Sequence, residues 1–332
     1  MKIITCAGYY RTGSSAITDY FSEFKGCESL GICEFRFAQD PDGLASLEYN
    51  LIDNNHRHNT SHAIKRFLKY MKFENGNLLS KRYRRYFGND FMKYTMEYID
   101  DIVQLKCNTM WRYDKIERGE LFYLIDTAFS NLYGLIKKGR RKSLLTIFKE
   151  KGYYTNISKD EFYLKTKKFT SKLLESANKN NAEFMMIDQL VPPTNVERYL
   201  NYFNEMYVII VDRDPRDLFI MEHTKYRWGI IPQDNVEEFC KWYKITRNHR
   251  KNDKNTNNKI FIYLEDLIYD YDNTTSKLLK FVGLNEKNHI NKNKYFIPEI
   301  SKQGTKLWEN HPELEKEIRY IEKELKDYLY KY

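Results

Sequence analysis

The chain has 332 residues, of which 42% are hydrophobic, and its 55 basic residues exceed its 46 acidic residues to give a formal net charge of +9. This composition excludes a disordered chain and suits an anionic ligand, which a nucleotide, a nucleic acid or an acidic membrane surface would satisfy equally. The five cysteines are odd in number and form no C-x-x-C pair, which argues for reduced thiols and against a disulfide or zinc framework.

The chain opens with a pattern typical of a strand, a turn and a helix. Residues 3–7 form a short apolar run, and apolar side chains then recur at helical spacing at Ile17, Tyr20, Phe21 and Phe24. The turn between them consists of Arg11, Thr12, Gly13, Ser14 and Ser15. Unpaired amides and the positive end of the helix dipole favour an anion at this place.

The spacing of the two glycines in this turn imitates the ATP-binding P-loop. That motif requires Lys and then Ser or Thr directly after the second glycine, whereas Ser14 and Ser15 follow Gly13 here. The cation lies earlier, at Arg11. An ATPase of that class is therefore disfavoured, while another phosphate-bearing ligand stays open.

Further along the chain, apolar runs alternate with amphipathic stretches, which predicts an α/β fold. The remaining strands are expected at 29–33, 184–187, 207–211 and 260–264, all of them buried and parallel, with covering helices at 236–245 and 274–282. We interpret residues from about 44 to 180 as a mostly helical insertion in a single domain of residues 1–332, with helices at 44–51, 63–71, 91–105, 131–148 and 161–178. A terminal packing helix is expected after Pro312.

A second charged segment, residues 212–217, follows the predicted strand at 207–211. Pro215 forces a turn there, and ligands of open α/β sheets bind at the carboxyl ends of the strands. Arg213 and Arg216 could hold a second phosphate through paired hydrogen bonds. The alternative is a solvated strand exit with Arg–Asp pairs.

Three motifs together resemble the ordered signatures of the sulfotransferases that use 3′-phosphoadenosine 5′-phosphosulfate (PAPS). They are residues 10–15, residues 211–217, and residues 263–267 with 281–284. The resemblance is to the bacterial, carbohydrate-type members. It implies a P-loop-like three-layer fold with a central parallel sheet of about five strands, PAPS as donor, 3′,5′-ADP as product and no metal.

The resemblance also implies roles for individual residues. Arg11, Thr12, Gly13, Ser14 and Ser15 would hold the 5′-phosphosulfate, and Arg11 would stabilise the charge that develops on the leaving oxygen. Arg213 would bind the 3′-phosphate, but Met221 stands where the family has a serine, so Thr224 or His223 is the candidate substitute. Tyr263 would lie near the nucleotide, and Lys302 and Lys306 in the late basic loop are further phosphate ligands.

Transfer to an alcohol also requires a base, because the hydroxyl attacks sulfur well only as its proton is removed. Glu34, just past the strand at 29–33, is the best positional match, and its alternative role is an ion pair with Arg36. Asp188, at the end of the strand at 184–187, is the second candidate, although an aspartate before a turn commonly shapes that turn.

Three histidines, His56, His58 and His62, cluster within the predicted insertion. Their spacing is not that of a zinc protease and no cysteine joins them, so we favour contact with the acceptor over a metal site.

The leading hypothesis is a sulfotransferase that modifies a hydroxyl, most plausibly on a sugar of a surface glycan or its precursor. No predicted signal peptide or apolar run of about 18 residues occurs, so we expect a cytoplasmic protein, with peripheral contact at the inner face of the membrane as an option. The alternatives are a nucleotide or small-molecule kinase with an irregular P-loop, and a basic module that binds nucleic acid or membranes. The scattered basic residues lack an aromatic-interleaved motif, which argues against nucleic acid.

Overall fold

The computed structural model describes residues 1–77 and 79–332 and contains both parallel and antiparallel β-structure. Within these residues the strands are β1 (Lys2–Gly8), β2 (Cys27–Glu34), β3 (Leu105–Asn108), β4 (Lys151–Tyr154), β5 (Phe184–Asp188), β6 (Met206–Asp212) and β7 (Lys259–Tyr263). The helices are α1 (Ser14–Phe21), α2 (Leu44–Glu48), α3 (Arg57–Asn75), α4 (Arg84–Phe87), α5 (Asp90–Ile102), α6 (Arg112–Ile116), α7 (Glu120–Ile136), α8 (Leu144–Ile147), α9 (Lys159–Ala177), α10 (Val196–Leu200), α11 (Pro215–Ile220), α12 (Val236–Arg247), α13 (Leu264–Tyr269), α14 (Tyr271–Val282), α15 (Pro298–Lys302) and α16 (Glu315–Glu324). Short π-helical segments occur at Tyr49–Asp53 and Met221–Tyr226, and short 3-10 segments at Asn248–Lys251, Glu286–Asn288, Leu307–Asn310, Pro312–Leu314 and Lys326–Tyr328. None of the helices in this part of the chain combines the length and apolar character needed to cross a membrane.

The chain divides into two compact units, and the second interrupts the first in sequence. The first unit consists of residues 1–36 and 178–332, and the second of residues 37–177. In the first unit, parallel strands form a five-stranded sheet in the order β2-β5-β1-β6-β7. The predicted α/β class, its central parallel sheet and the large helical insertion are confirmed.

The central strand β1 explains why this sheet forms the middle layer of the first unit. Its five interior residues, Ile3 to Ala7, are all buried, so neither face of the strand meets solvent. Such burial on both faces is typical of parallel sheets covered by helices. On one face, Ile17 and Tyr20 of α1 join Leu278 of α14 in a cluster with the strand side chains. The helical spacing predicted for α1 is confirmed, although the helix ends at Phe21.

The prediction that every strand of the sheet is buried is wrong for β2. This strand lies at the edge of the sheet and is half-buried along most of its length, and Ile32 is 66% exposed. An edge strand has a neighbour on one side only, so its short apolar run reflects strand propensity rather than a place in the core.

The C-terminal packing helix is confirmed with a shifted start. A 3-10 turn, Pro312–Leu314, precedes α16, which begins at Glu315. Ile318 and Ile321 of α16 are buried in a cluster with Phe239 and Tyr243 of α12. The predicted apolar spacing therefore marks the face that packs against α12.

The second unit contains α2 to α9 and a two-stranded antiparallel sheet of β3 and β4. The predicted helix at 91–105 ends at Ile102, because Leu105 begins β3. The predicted helix at 131–148 is wrong in its bounds. Lys138 and Gly139 both adopt positive φ and end the helical segment, and Ser143 then caps α8 by accepting from the Leu145 amide at 3.1 Å.

The turn between β1 and α1 is fixed by two contacts to neighbouring segments of the first unit. Thr12, which is 1% exposed, donates its hydroxyl to the carbonyl of Val211 in β6 at 2.8 Å. Gly13 has φ 105° and lies against Leu264 at the start of α13. The turn is therefore held to the ends of β6 and β7 before any ligand binds.

Replacing Gly13 by alanine should destabilise the first unit through backbone strain and a steric clash together. The new Cβ would lie 2.8 Å from Leu264 Cδ1 at a positive φ. We expect a loss of about 1–3 kcal/mol in the free energy of unfolding, measured by denaturant titration. Gly26 is the matched control, since it has φ 83° and open space around the Cβ position. Equal losses in Gly13→Ala and Gly26→Ala would show that the contact with Leu264 contributes nothing.

Candidate functional site

The carboxyl ends of the parallel strands bring the predicted site residues of the first unit to one edge of the sheet. Strand order reverses around β1, since β2 lies on one side of it and β6 and β7 lie on the other. Open α/β sheets bind ligands in the crevice at such a switch point. Glu34, Asp188, Arg213 and Tyr263 all lie at or directly after strand ends, as does the turn from residue 9 to residue 13.

The N-terminus of α1 offers unpaired donors. Gly13 is the N-cap in the left-handed region and no side chain caps the helix. Within the described part of the chain, the backbone amides of Ser14 and Ser15 have no acceptor. The Thr12 hydroxyl, in contrast, donates to Val211 and accepts from the Tyr9 amide at 3.0 Å, so it supports the turn rather than facing an open site. Donors from backbone amides are what an anion requires here.

Arg11 is held by a carboxylate and by an aromatic ring. Its Nε atom lies 2.5 Å from Oε1 of Glu222, which is fully buried. Its guanidinium carbon lies 3.4 Å from the centroid of the Tyr226 ring. Burial raises the pKa of Glu222, and the charge of Arg11 opposes that rise. The arginine is thus oriented through one edge of its guanidinium, by a residue that sequence reasoning missed.

Arg213 is 5% exposed and lies beneath the late loop of residues 301–306. Its Nη2 atom donates to the carbonyl of Gly304. Its Nε atom is buried and has no hydrogen-bond acceptor within the described residues. The loop is held in turn by Asp217, which accepts from the amides of Lys306 at 3.1 Å and Leu307 at 2.8 Å. A buried, unpartnered donor of this kind marks a place where an acceptor would be stabilised.

Two buried carboxyl groups near Arg213 have shifted pKa values. Burial raises the pKa of Glu265 to about 8, against the opposing effects of the Asp214 amide and of Arg213. Burial likewise raises the pKa of Asp217 to about 6, and Arg213 opposes this rise as well. Both groups gain a proton more readily than exposed carboxylates, so the negative charge around Arg213 is reduced at neutral pH.

The second arginine of the charged segment is not free for a phosphate. Arg216 binds both carboxylate oxygens of Asp214 and also binds Glu322 at 2.9 Å. Its guanidinium stacks 3.7 Å from the ring of Trp308. The alternative interpretation, an Arg–Asp pair at the strand exit, is the one that applies to Arg216.

The other residues that the resemblance assigned to the nucleotide occupy different surroundings. Tyr263 ends β7 and its hydroxyl accepts from Arg250 at 3.1 Å. Thr224 donates to the carbonyl of Ile220 within its own helical segment, at 2.7 Å. Lys302 is exposed and Lys306 is half-buried, and both ammonium groups lie within 6 Å of the Tyr269 ring, at 5.6 and 5.7 Å. Lys302 and Lys306 therefore lie together beside Tyr269, on the loop whose Gly304 carbonyl accepts from Arg213, while the Thr224 hydroxyl is used locally.

A buried charge cluster that sequence reasoning missed lies at the end of β6. Asp212 is fully buried and accepts from Arg247 at 3.0 and 3.2 Å and from Arg250 at 2.7 Å. Tyr243 donates to the same carboxylate at 3.3 Å and to the carbonyl of Arg213 at 3.0 Å. The sequence gives no signal for this cluster, since arginines after an amphipathic helix normally lie at the surface.

The two candidate bases lie side by side on neighbouring strands. Glu34 of β2 is opposite Asp188 of β5 in the sheet register. The Glu34 side chain is 48% exposed and pairs with Arg36 at 3.5 Å. Asp188 is 3% exposed and accepts from the Cys6 thiol at 2.8 Å. An acceptor hydroxyl can reach the exposed Glu34, whereas Asp188 is enclosed.

Asp188 is nonetheless electrostatically unusual. Burial raises its pKa to about 7, the charge of Glu34 adds to the rise, and hydrogen bonds from Cys6 and Ser14 oppose it. Its hydrogen bond to Ser14 connects the carboxyl group to the first residue of α1. The pKa of Asp188 therefore depends both on Ser14 of the turn and on the charge of Glu34.

Comparisons with known proteins give little further guidance. No protein-family model matches the chain, and no curated protein matches it. Among solved structures, sulfotransferase STF1 from Mycobacterium tuberculosis H37Rv aligns at 12% identity and a TM-score of 0.34, over 92% of this chain and 76% of that chain. A retinol dehydratase in complex with androsterone and inactive cofactor PAP aligns at 14% identity and a TM-score of 0.33, over 100% of this chain and 83% of that chain. Scores of this size support no inference about this chain.

Asp188 should make the stability of the protein depend on pH. Because its pKa is about 7 in the folded chain against 3.8 ordinarily, the folded state binds this proton more tightly than the unfolded chain does. Its contribution to the free energy of unfolding therefore decreases as the pH rises from about 4 to about 7. In Asp188→Asn this decrease should be smaller, by on the order of a few kcal/mol. The measurement is denaturant unfolding of both proteins at about pH 5 and about pH 8.

The control for this experiment is Asp234→Asn, because the Asp234 side chain is 75% exposed. Its pH profile should follow the wild type. Parallel profiles for the wild type and Asp188→Asn would contradict the raised pKa.

Proposed function

We propose that this protein is a sulfotransferase that moves the sulfuryl group of PAPS to a hydroxyl of an acceptor. The observation that carries the proposal is the arrangement of two groups of hydrogen-bond donors, each suited to an anion, at the carboxyl ends of adjacent strands. One consists of Arg11 with the free amides of Ser14 and Ser15, after β1. The other is the buried Arg213 with its unpartnered Nε, after β6. A nucleotide with phosphate groups at both ends of its ribose has this pattern of charge.

The residues present fit such a donor. A phosphosulfate group would accept from the amides of Ser14 and Ser15 and from the η nitrogens of Arg11, whose Nε is turned to Glu222. A 3′-phosphate would accept from Nε of Arg213, which has no acceptor within the described residues. Lys302 and Lys306 add positive charge to the loop that would then cover the nucleotide.

In the transfer step, Glu34 acts on the acceptor hydroxyl, whereas Arg11 and the helix amides act on the leaving phosphate. The acceptor oxygen forms a bond to sulfur and gives its proton to the carboxylate of Glu34. The bond from sulfur to the bridging phosphate oxygen breaks, and its electron pair leaves on the phosphate of 3′,5′-ADP. Arg11 and the helix amides stabilise that developing charge because they are fixed before the reaction. Asp188 supports Ser14 and tunes the surroundings of Glu34 rather than meeting the acceptor.

The acceptor in this proposal is a sugar hydroxyl of a surface glycan or its precursor. The support for this finer statement is the resemblance of the motifs to those of carbohydrate-type sulfotransferases. A carboxylate at the position of Glu34 agrees with it, since an alcohol acceptor needs a base.

Nucleotide binding separates the proposal from the kinase alternative. A sulfotransferase should bind 3′,5′-ADP without a metal ion and more tightly than ATP, because ATP lacks the 3′-phosphate that Arg213 would bind. A kinase with an irregular P-loop should bind ATP and require Mg²⁺. Titration calorimetry with both nucleotides, each in EDTA and in Mg²⁺, measures the difference. Tighter, Mg²⁺-dependent binding of ATP would overturn the proposal.

Arg11→Ala should strongly reduce transfer while leaving the fold intact. Loss of one preorganised group that stabilises transition-state charge lowers turnover by about a hundred- to a thousandfold. The measurement is transfer of radiolabelled sulfuryl from PAPS to a panel of glycans, with circular dichroism to verify folding. Arg319→Ala is the matched control, because Arg319 is 76% exposed on α16. Near-normal turnover in Arg11→Ala would refute the role of Arg11.

A further inference from the structure

The second unit contains a cavity of about 530 Å³ that plays no part in the proposed transfer. One face of α3 contributes much of its wall, since His58, His62 and Arg66 recur at spacings of four residues. Asp42 and Asn50 contribute from the segment around α2, and Tyr113 from α6. Its volume falls in the range of about 300–1,000 Å³ typical of small-molecule sites. Most of the side chains that line it are polar, and Pro41, Leu47 and Ala63 are the apolar ones.

The charges of this cavity are already balanced within its wall. Arg66 binds Asp42 through two parallel hydrogen bonds, from Nε to Oδ1 at 2.7 Å and from Nη2 to Oδ2 at 2.8 Å. His62 lies 3.5 Å from Glu117, and burial lowers the pKa of His62, so its ring is neutral at neutral pH. Among the described residues of the wall, Arg66 is the one permanent cation and it has its counter-ion. The described part of the wall therefore presents no unpaired permanent charge to a ligand.

The histidines of this cavity do not form a metal site. The rings of His56 and His58 are 5.9 Å apart, and the ring of His58 stacks on Trp111 at 3.8 Å. Within residues 1–77 and 79–332, no group of three or more His, Cys, Asp or Glu side chains is arranged to hold a metal ion. These imidazoles contribute planar rings to the wall of the cavity.

Several polar groups of the wall are held in fixed orientations. Asn50 donates its amide to the carbonyl of Ser46 at 2.7 Å, and Asn59 donates to the carbonyl of Asn54 at 2.9 Å. Each side chain thereby keeps its own carbonyl oxygen as an acceptor. Arg66 retains further N–H donors beyond the two that Asp42 uses. Tyr113 adds a phenol that is half exposed, and its ring contacts His62 at 4.5 Å.

We propose that this cavity binds a neutral saccharide. Each hydroxyl of a sugar both donates and accepts a hydrogen bond. The wall supplies fixed donors and acceptors together with the planar rings of the histidines and Tyr113. The electrically neutral Asp42–Arg66 pair presents donors and acceptors together, which suits two neighbouring hydroxyls. This binding does not depend on whether the first unit transfers sulfuryl groups.

The test is binding of the full chain to an array of neutral and sulfated oligosaccharides, followed by calorimetry with the free form of any neutral oligosaccharide retained. We expect retention of at least one neutral oligosaccharide. Tyr113→Ala and Asn59→Ala should each weaken its binding by about tenfold, as loss of one well-placed contact does. Lys69→Ala is the matched control, because Lys69 is exposed on α3 and does not line the cavity.

The outcomes of this experiment are separate from those that test the transferase. Retention of sulfated oligosaccharides alone, or of none, would overturn the inference, as would equal binding by the wild type and both cavity variants. Binding of 3′,5′-ADP, measured in the same samples, should be unchanged in Tyr113→Ala and Asn59→Ala. Loss of saccharide binding with nucleotide binding retained thus bears on the cavity, and the converse bears on the proposed function.

Discussion

The buried carboxylate of Asp212 is the interaction on which the candidate site depends. It lies at the last residue of β6 and accepts from Arg247 and Arg250, while the Arg213 amide donates to it at 2.9 Å. Removing one partner from such a cluster leaves a charge buried without compensation, at a cost of about 3–5 kcal/mol. Arg247 also stacks 4.2 Å from the ring of Tyr9, at the start of the turn. One carboxylate therefore fixes the strand end, the backbone of Arg213 and the beginning of the turn between β1 and α1.

The two groups of donors suited to an anion differ in how far they are preorganised. The turn is complete before a ligand arrives, since Thr12 and Gly13 hold it to β6 and α13, and Glu222 already orients Arg11. At Arg213, Nη2 donates to the Gly304 carbonyl while the buried Nε has no acceptor within the described residues, so a phosphate reaches Nε only if the covering loop moves. The first place is preorganised, whereas the second opens only through movement of the late loop. A phosphate bound there would supply the acceptor that Nε lacks.

The sequence was sufficient for the parts of this fold that depend on short-range patterns. The run at residues 3–7 is a buried strand because its neighbours on both sides are strands, and Gly13 marks the turn because only glycine fits at φ 105° against Leu264. The β3–β4 sheet was not predictable, since both strands are only four residues long and lack apolar alternation. The partners of Asp212 lie 35 and 38 residues away, and no local pattern reports a pairing of that kind.

The buried carboxyl groups complete the electrostatic description of the site. A nucleotide with two phosphates would be repelled by ionised carboxylates, yet Asp188, Asp217 and Glu265 all lie among its expected ligands. Burial raises the pKa of each, to about 7, 6 and 8 respectively, so that protonation of these groups near neutral pH is inexpensive. A bound phosphate would raise these pKa values further, so the three carboxyl groups would take up protons when the nucleotide binds. The three carboxyl groups thus hold the backbone amides and the thiol around the site without cancelling the positive charge that an anion needs.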